Sequence, residues 1–147
     1  MKKIMPPTYF FIFLVITVFI HFVLPILQLI NYPLNWSGLL FILAGGILNI
    51  WTDRLFKKNN TTVKPNETPT SLIKNGPFKF SRNPMYLGME FLLIGVGLIL
   101  GSVTSFVGAV LFPLTMELKF IRQEEKMMAE KFGDKFEAYK KKVARWI

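Results

Sequence analysis

Four apolar stretches, at 8–30, 36–52, 84–100 and 103–120, constrain this chain more than any other feature. Each is close to the ~20 residues that a helix rising 1.5 Å per residue needs to cross about 30 Å of hydrocarbon. The links at 31–35 and 101–102 carry no charge. All 18 Lys and Arg residues fall elsewhere: at Lys2 and Lys3, between Arg54 and Arg82 (seven bases against one acid), or beyond Glu117. An even number of spans puts those three regions on one side, and the positive-inside rule makes that side cytoplasmic. The expected fold is therefore an all-α integral membrane protein forming a single domain, 1–147. It has four transmembrane helices, the last two a tight helical hairpin, a cytoplasmic connector at 54–83 and an amphipathic interfacial helix at 122–143. A prokaryotic cytoplasmic membrane, with both termini cytoplasmic, is the expected location.

Composition points the same way. Hydrophobic residues make up 52% of the 147 and Phe alone numbers 15, too apolar for an ordinary soluble domain. The net charge of +9 sits beside the spans, which favours anionic lipid headgroups over nucleic acid as its partner. The absence of Cys excludes disulfides, thiolate metal sites and Cys nucleophiles. The opening Met1-Lys2-Lys3 and the apolar run after it imitate a signal peptide. The run is too long for one, however, and Pro25-Ile26-Leu27-Gln28 offers no small-residue cleavage site, so a retained first span bent near Pro25 is expected.

Several residues fit a structural role. His21, the lone histidine, reads more simply as a neutral imidazole bonded to a neighbouring helix than as a proton relay. Gly45-Gly46 is small enough for close helix approach, and Gly88, Gly95, Gly97, Gly101 and Gly108 are expected to let the hairpin's arms pack, with a kink at Pro113. The Lys-, Asn-, Thr- and Pro-rich segment 56–75, containing Pro65 and Pro69, reads as an extended covering connector. In the tail, Met128, Phe132, Phe136, Tyr139 and Val143 fall on one helical face. A break is expected at Gly133-Asp134, with Asp134 capping the second piece and the lysines facing headgroups.

Three polar features share one depth. In the first, Ser81-Arg82-Asn83-Pro84-Met85-Tyr86-Leu87-Gly88, extended chain becomes helix. Pro84 suits the first helical turn, whose N–H groups can meet a carboxylate or the polar edge of a nucleoside. Tyr86 offers an aromatic face or a hydroxyl, and Gly88 permits close approach. The second is Glu90, four residues on and on the same helical face, a costly carboxylate unless paired or wetted. The third is Glu124-Glu125, a repelling pair suited to gripping hydroxyls, an amine or a cation; its bland alternative is a solvated helix start whose acids complement the dipole.

Together, Gly76-Pro77-Phe78-Lys79-Phe80-Ser81-Arg82-Asn83-Pro84-Met85-Tyr86-Leu87-Gly88, the glycine-rich hairpin, Arg122-Gln123-Glu124-Glu125 and the Phe132–Val143 tail resemble the isoprenylcysteine carboxyl methyltransferase family, part of a wider group that includes phospholipid methyltransferases. The resemblance covers about half the chain, from Leu72 onward. It implies an integral membrane enzyme that uses S-adenosylmethionine at the cytoplasmic face, releases S-adenosylhomocysteine, and methylates a lipidic or small hydrophobic acceptor arriving from the bilayer. It further implies that Asn83, Pro84, Tyr86, Leu87 and Gly88 line the cofactor pocket, that Glu124 and Glu125 bind its polar parts, and that Arg122 orients the acceptor. Many members carry His where this chain has Asn83, which cannot titrate near neutrality. No general base is assigned there, and Glu90 is the buried candidate should one be needed. No metal is expected.

Two other functions compete. A four-span proton-coupled transporter would use Glu90 but leaves the Asn-Pro-Met-Tyr junction and the glutamate pair idle. A non-catalytic scaffold binding anionic lipid through its basic face leaves Glu90 unexplained.

Overall fold

The computed structural model describes residues 4–62, 64 and 67–147. Lys2 and Lys3, and Pro65 of the connector, lie outside the described residues. The chain is all-helical: α1 (Pro6–Val23), α2 (Ser37–Lys58), α3 (Pro84–Leu100), α4 (Val107–Met116), α5 (Arg122–Phe132) and α6 (Asp134–Lys142). Among the described residues there is no strand, only an isolated antiparallel bridge between Gln28 and Ser102.

Three helical runs are long and apolar enough to cross a membrane: Pro6–Val23, Leu34–Lys58 and Val103–Phe132. The apolar helix α3 is shorter, at 17 residues, or about 26 Å at 1.5 Å per residue. Large apolar side chains on the outer surfaces of α1 and α2, such as Phe19, Phe22, Leu40 and Ile47, are exposed, as suits contact with hydrocarbon.

The first span is shorter than its hydropathy predicts. Pro6 and Pro7 start α1 where missing N–H groups cost nothing. The helix stops at Val23 instead of bending through Pro25, because a proline disfavours helical geometry in the residue before it. Residues 24–30 form a non-helical strap across the far end of α3. Leu29 and Ile30 donate their N–H groups to the Gly101 carbonyl at 2.8 and 3.1 Å. The Gln28 side-chain amide donates to the Leu100 carbonyl at 3.0 Å. These bonds satisfy carbonyls that a helix end leaves bare. His21 lies at this end, its Nδ1 2.8 Å from Ser102 Oγ. That is the structural role, with a turn hydroxyl as the partner in place of a helix.

The glycines pack differently from a simple hairpin. α3 lies chiefly against α2, in an antiparallel crossing where Gly45 meets Gly88 and Gly38 meets Gly95. A Cβ on Gly45 would stand 2.5 Å from the Gly88 carbonyl oxygen, and one on Gly38 2.3 Å from that of Gly95. Gly46 faces open space. Gly108 instead abuts Thr17 and Phe13 of α1. The main core joins α1, α3 and α4 through Phe10, Tyr86, Leu93, Phe112 and Met116.

The last span and the tail are also continuous. α4, with Pro113 inside it, passes through a π-helical turn at Glu117–Ile121 straight into α5. No free helix start exists at Arg122, so the dipole reading of Glu124 and Glu125 falls. The tail breaks at Gly133, whose φ of +50° ends the helix, and Asp134 makes no side-chain cap. Phe136 and Tyr139 pack against Ile73 and Phe78, with Leu55, Phe56 and Met128 around them. The apolar stripe of the tail thus buries against α2 and the connector.

Candidate functional site

At one end of the bundle, the start of α1, the end of α2, the entrance to α3, the first half of α5 and Phe136 and Tyr139 of α6 line a cavity of about 220 Å³. The connector closes it with Thr62, Lys64, Glu67, Pro69 and Ser71. α2 runs on to Lys58, so the covering segment begins a full helical turn beyond Arg54, where the sequence places the start of the connector.

Two motifs separated in the sequence meet on this wall. The Tyr86 hydroxyl donates to Glu124 Oε1 at 2.6 Å. Tyr86 is held by the helix that Pro84 starts, and Glu124 by the helical rod that continues from α4. A charge-assisted hydrogen bond of this length fixes the carboxylate's direction. No described residue bonds to Glu124 Oε2. Asn83 does not cap α3; its Nδ2 donates to the Arg145 carbonyl at 3.0 Å. That leaves its Oδ1 as an acceptor beside the cavity.

The adjacent glutamates divide their work. Glu125 receives Arg145 Nε at 3.0 Å and Nη2 at 2.6 Å, and lies 3.0 Å from Arg82 Nη2. Both its oxygens are taken. The Arg82 side chain is only 9% exposed, and its Nε and Nη1 have no partner among the described residues. Arg145 also pairs with Glu117 through Nη1. The Glu125 carboxylate holds the Arg145 guanidinium above its usual range, so it is a permanent cation.

Of the residues predicted from sequence, Asn83, Pro84, Tyr86, Glu124 and Glu125 line the cavity. Leu87 and Gly88 do not. Leu87 is buried in the helix packing, and Gly88 lies so close to Asn49 that a Cβ there would come within 2.5 Å of its Oδ1. Glu90 is off the wall, with Oε2 buried and without a partner among the described residues. Arg122 stands outside, its side chain 63% exposed and 3.6 Å from Glu117.

Sequence reading missed two contributors. Tyr139, taken as part of an apolar stripe, donates its hydroxyl to the Phe78 carbonyl at 2.7 Å. Burial pushes that hydroxyl up to about 12, against the opposing pull of Arg82, so it remains a donor at ordinary pH. Arg145 carried one faint signal, a cation set between Val143 and Trp146 where the apolar stripe ends.

Residues 34–135 match the phospholipid methyltransferase family, and the chain belongs to that family. An uncharacterized protein of Haemophilus influenzae (strain Rd) is 36% identical over 63 residues, which are 43% of this chain and the whole of that one. The protein-S-isoprenylcysteine O-methyltransferase of Schizosaccharomyces pombe is 36% identical over 80 residues, 52% of this chain but only 32% of the yeast protein. The chain therefore spans about a third of the length of that second relative. No solved structure matches.

Proposed function

We propose that this chain is an S-adenosylmethionine-dependent methyltransferase acting at the cytoplasmic membrane face on a lipidic or small hydrophobic acceptor. The observation that carries the reading is the 2.6 Å bond joining Tyr86 to Glu124 on the wall of a single cavity. α3, seated along α2, serves as the fourth span. The cavity end is cytoplasmic, because the basic residues on either side of it belong to the connector and tail.

The donor set suits the cofactor. Glu124 offers a carboxylate to a cation or to hydroxyls, Tyr86 an aromatic face, and Asn83 an amide oxygen. S-adenosylmethionine, when bound, brings a methyl group already activated on sulfur, so the protein's task is to bind, align and exclude water. Asn83, Pro84, Tyr86 and Glu124 are the residues in place to bind it. Leu87 and Gly88 seat α3 against its neighbours, and Glu125 holds Arg82. Arg122, outside the cavity, is placed to meet an acceptor approaching along the headgroup layer. Glu90 lies away from the wall, which favours an acceptor that is already anionic, such as a carboxylate, over one that must lose a proton. The transporter reading accounts for Glu90 alone and leaves the cavity unused.

Full-length protein in lipid nanodiscs should bind S-adenosylhomocysteine saturably in titration calorimetry, and Tyr86→Ala and Glu124→Ala should each weaken that binding. No binding by the unmodified protein, or an affinity unchanged from it in both variants, overturns the assignment.

A further inference from the structure

The residues from Val143 to Trp146 are tied back to the bundle, and only Ile147 beyond them is left largely exposed. Arg82 donates its N–H to the Ala144 carbonyl at 3.0 Å, and Asn83 Nδ2 donates to the next carbonyl, that of Arg145, also at 3.0 Å. Trp146, partly buried, packs against the main core. Between these anchors the Arg145 guanidinium reaches back across to the α4–α5 rod. It clamps Glu125 at two points, 3.0 and 2.6 Å, and takes Glu117 with its remaining nitrogen. One residue thus ties the entrance of α3, through its carbonyl, to α5, through its guanidinium, and these two places carry Asn83, Tyr86 and Glu124.

The chemistry of the clamp is directional. A planar guanidinium bound to both oxygens of a carboxylate fixes its rotation, which a lysine ammonium cannot do. Glu125 so fixed also holds Arg82 Nη2, at 3.0 Å through the Oε1 that it shares with Arg145 Nε, and Asn83 follows Arg82 in the chain. Removing Arg145 would leave Glu125 its Arg82 partner and Glu117 its contact with Arg122 at 3.6 Å. The loss therefore leaves no carboxylate of the cluster without a cation nearby, and its effect is one of alignment.

We propose that Arg145 is a positioning residue of the ligand site: acting through Glu125 and through its own carbonyl, it sets the orientation of Asn83 and of the α5 turn that presents Glu124. This rests on the methyltransferase reading, in which those two residues bind the cofactor. Arg145 itself touches no ligand.

The test is a double-mutant cycle on S-adenosylhomocysteine affinity in nanodiscs, with Arg145→Gln, Glu125→Gln and the double variant. Arg145→Gln should weaken binding about tenfold, the scale of one misdirected hydrogen bond. Arg145→Lys should restore little of it, since it keeps the charge and not the fork. In the Glu125→Gln background, Arg145→Gln should add less than about threefold, because both act through one contact. Unchanged affinity in Arg145→Gln, full rescue by Lys, or fully additive losses would each overturn the proposal. So would a fall in thermal stability with no change in affinity, the mark of a purely structural residue. If Arg145→Gln does not fold, Arg145→Lys is measured instead, with the same tenfold loss expected and unchanged affinity counting against the proposal. Failure of the unmodified protein to bind at all defeats the methyltransferase reading instead, so the two failures are distinct.

Discussion

Adjacent glycines in α2 should answer the same substitution in opposite ways. A Cβ on Gly45 would sit 2.5 Å from the Gly88 carbonyl oxygen and 3.1 Å from the Leu92 side chain, whereas one on Gly46 meets nothing within 4 Å. Ordinary carbon–oxygen contact begins near 3.4 Å, so Gly45→Ala needs α2 and α3 to part by roughly 1 Å or to tilt, and the obstacle is backbone. Overpacking of this kind costs about 1–3 kcal/mol. Gly46→Ala meets no obstacle and gains the helix preference of Ala over Gly, up to about 1 kcal/mol in a water-exposed helix and less in lipid. Thermal unfolding in nanodiscs, followed by helical circular dichroism, should therefore place Gly45→Ala below the unmodified protein and Gly46→Ala level with it or above. Equal melting temperatures for the two variants would refute the crossing. On the methyltransferase reading, because α3 begins just after Asn83 and carries Tyr86, Gly45→Ala should also weaken S-adenosylhomocysteine binding, and Gly46→Ala should not.

Two further outcomes concern the docked tail. Phe136, 3% exposed against Ile73 and Phe78, contributes about 3–5 kcal/mol to docking, so Phe136→Ala should make α6 a rapid target for trypsin; unchanged cleavage would discount the packing. The raised Tyr139 pKa means that the folded state holds this proton more tightly than the unfolded chain does. Its stabilising effect is complete below about pH 10 and is lost as pH climbs through about 12. The stability advantage over Tyr139→Phe should close across that window, and a constant gap would refute it.

Hydropathy and motif spacing made much of this legible. The α2, α3 and α4 segments lie close to where their apolar runs place them, because a span must satisfy its own backbone hydrogen bonds and helices do so. The meeting of Tyr86 with Glu124 was implied by the resemblance and not by local pattern, since 38 residues separate them. Other features were hidden. Leu24, Ile26, Leu27, Leu29 and Ile30 are as apolar as the span before them, so hydropathy could not distinguish helix from strap; only Pro25 hinted at the change. The division between Glu124 and Glu125 depends on a partner 20 residues further on, Arg145, and nothing in the composition of the pair announces it. Hydropathy reports depth, and it does not say which neighbour a charge will find.

α3 is fastened at both extremities, by the 24–30 strap around Gly101 and by the Ala144–Arg145 carbonyls at Arg82 and Asn83. A rod pinned top and bottom cannot slide like a piston along the membrane normal. The height of Tyr86 is then a fixed ruler: on the methyltransferase reading, a molecule is selected partly by whether its nucleophilic atom can reach that level while its greasy portion stays dissolved.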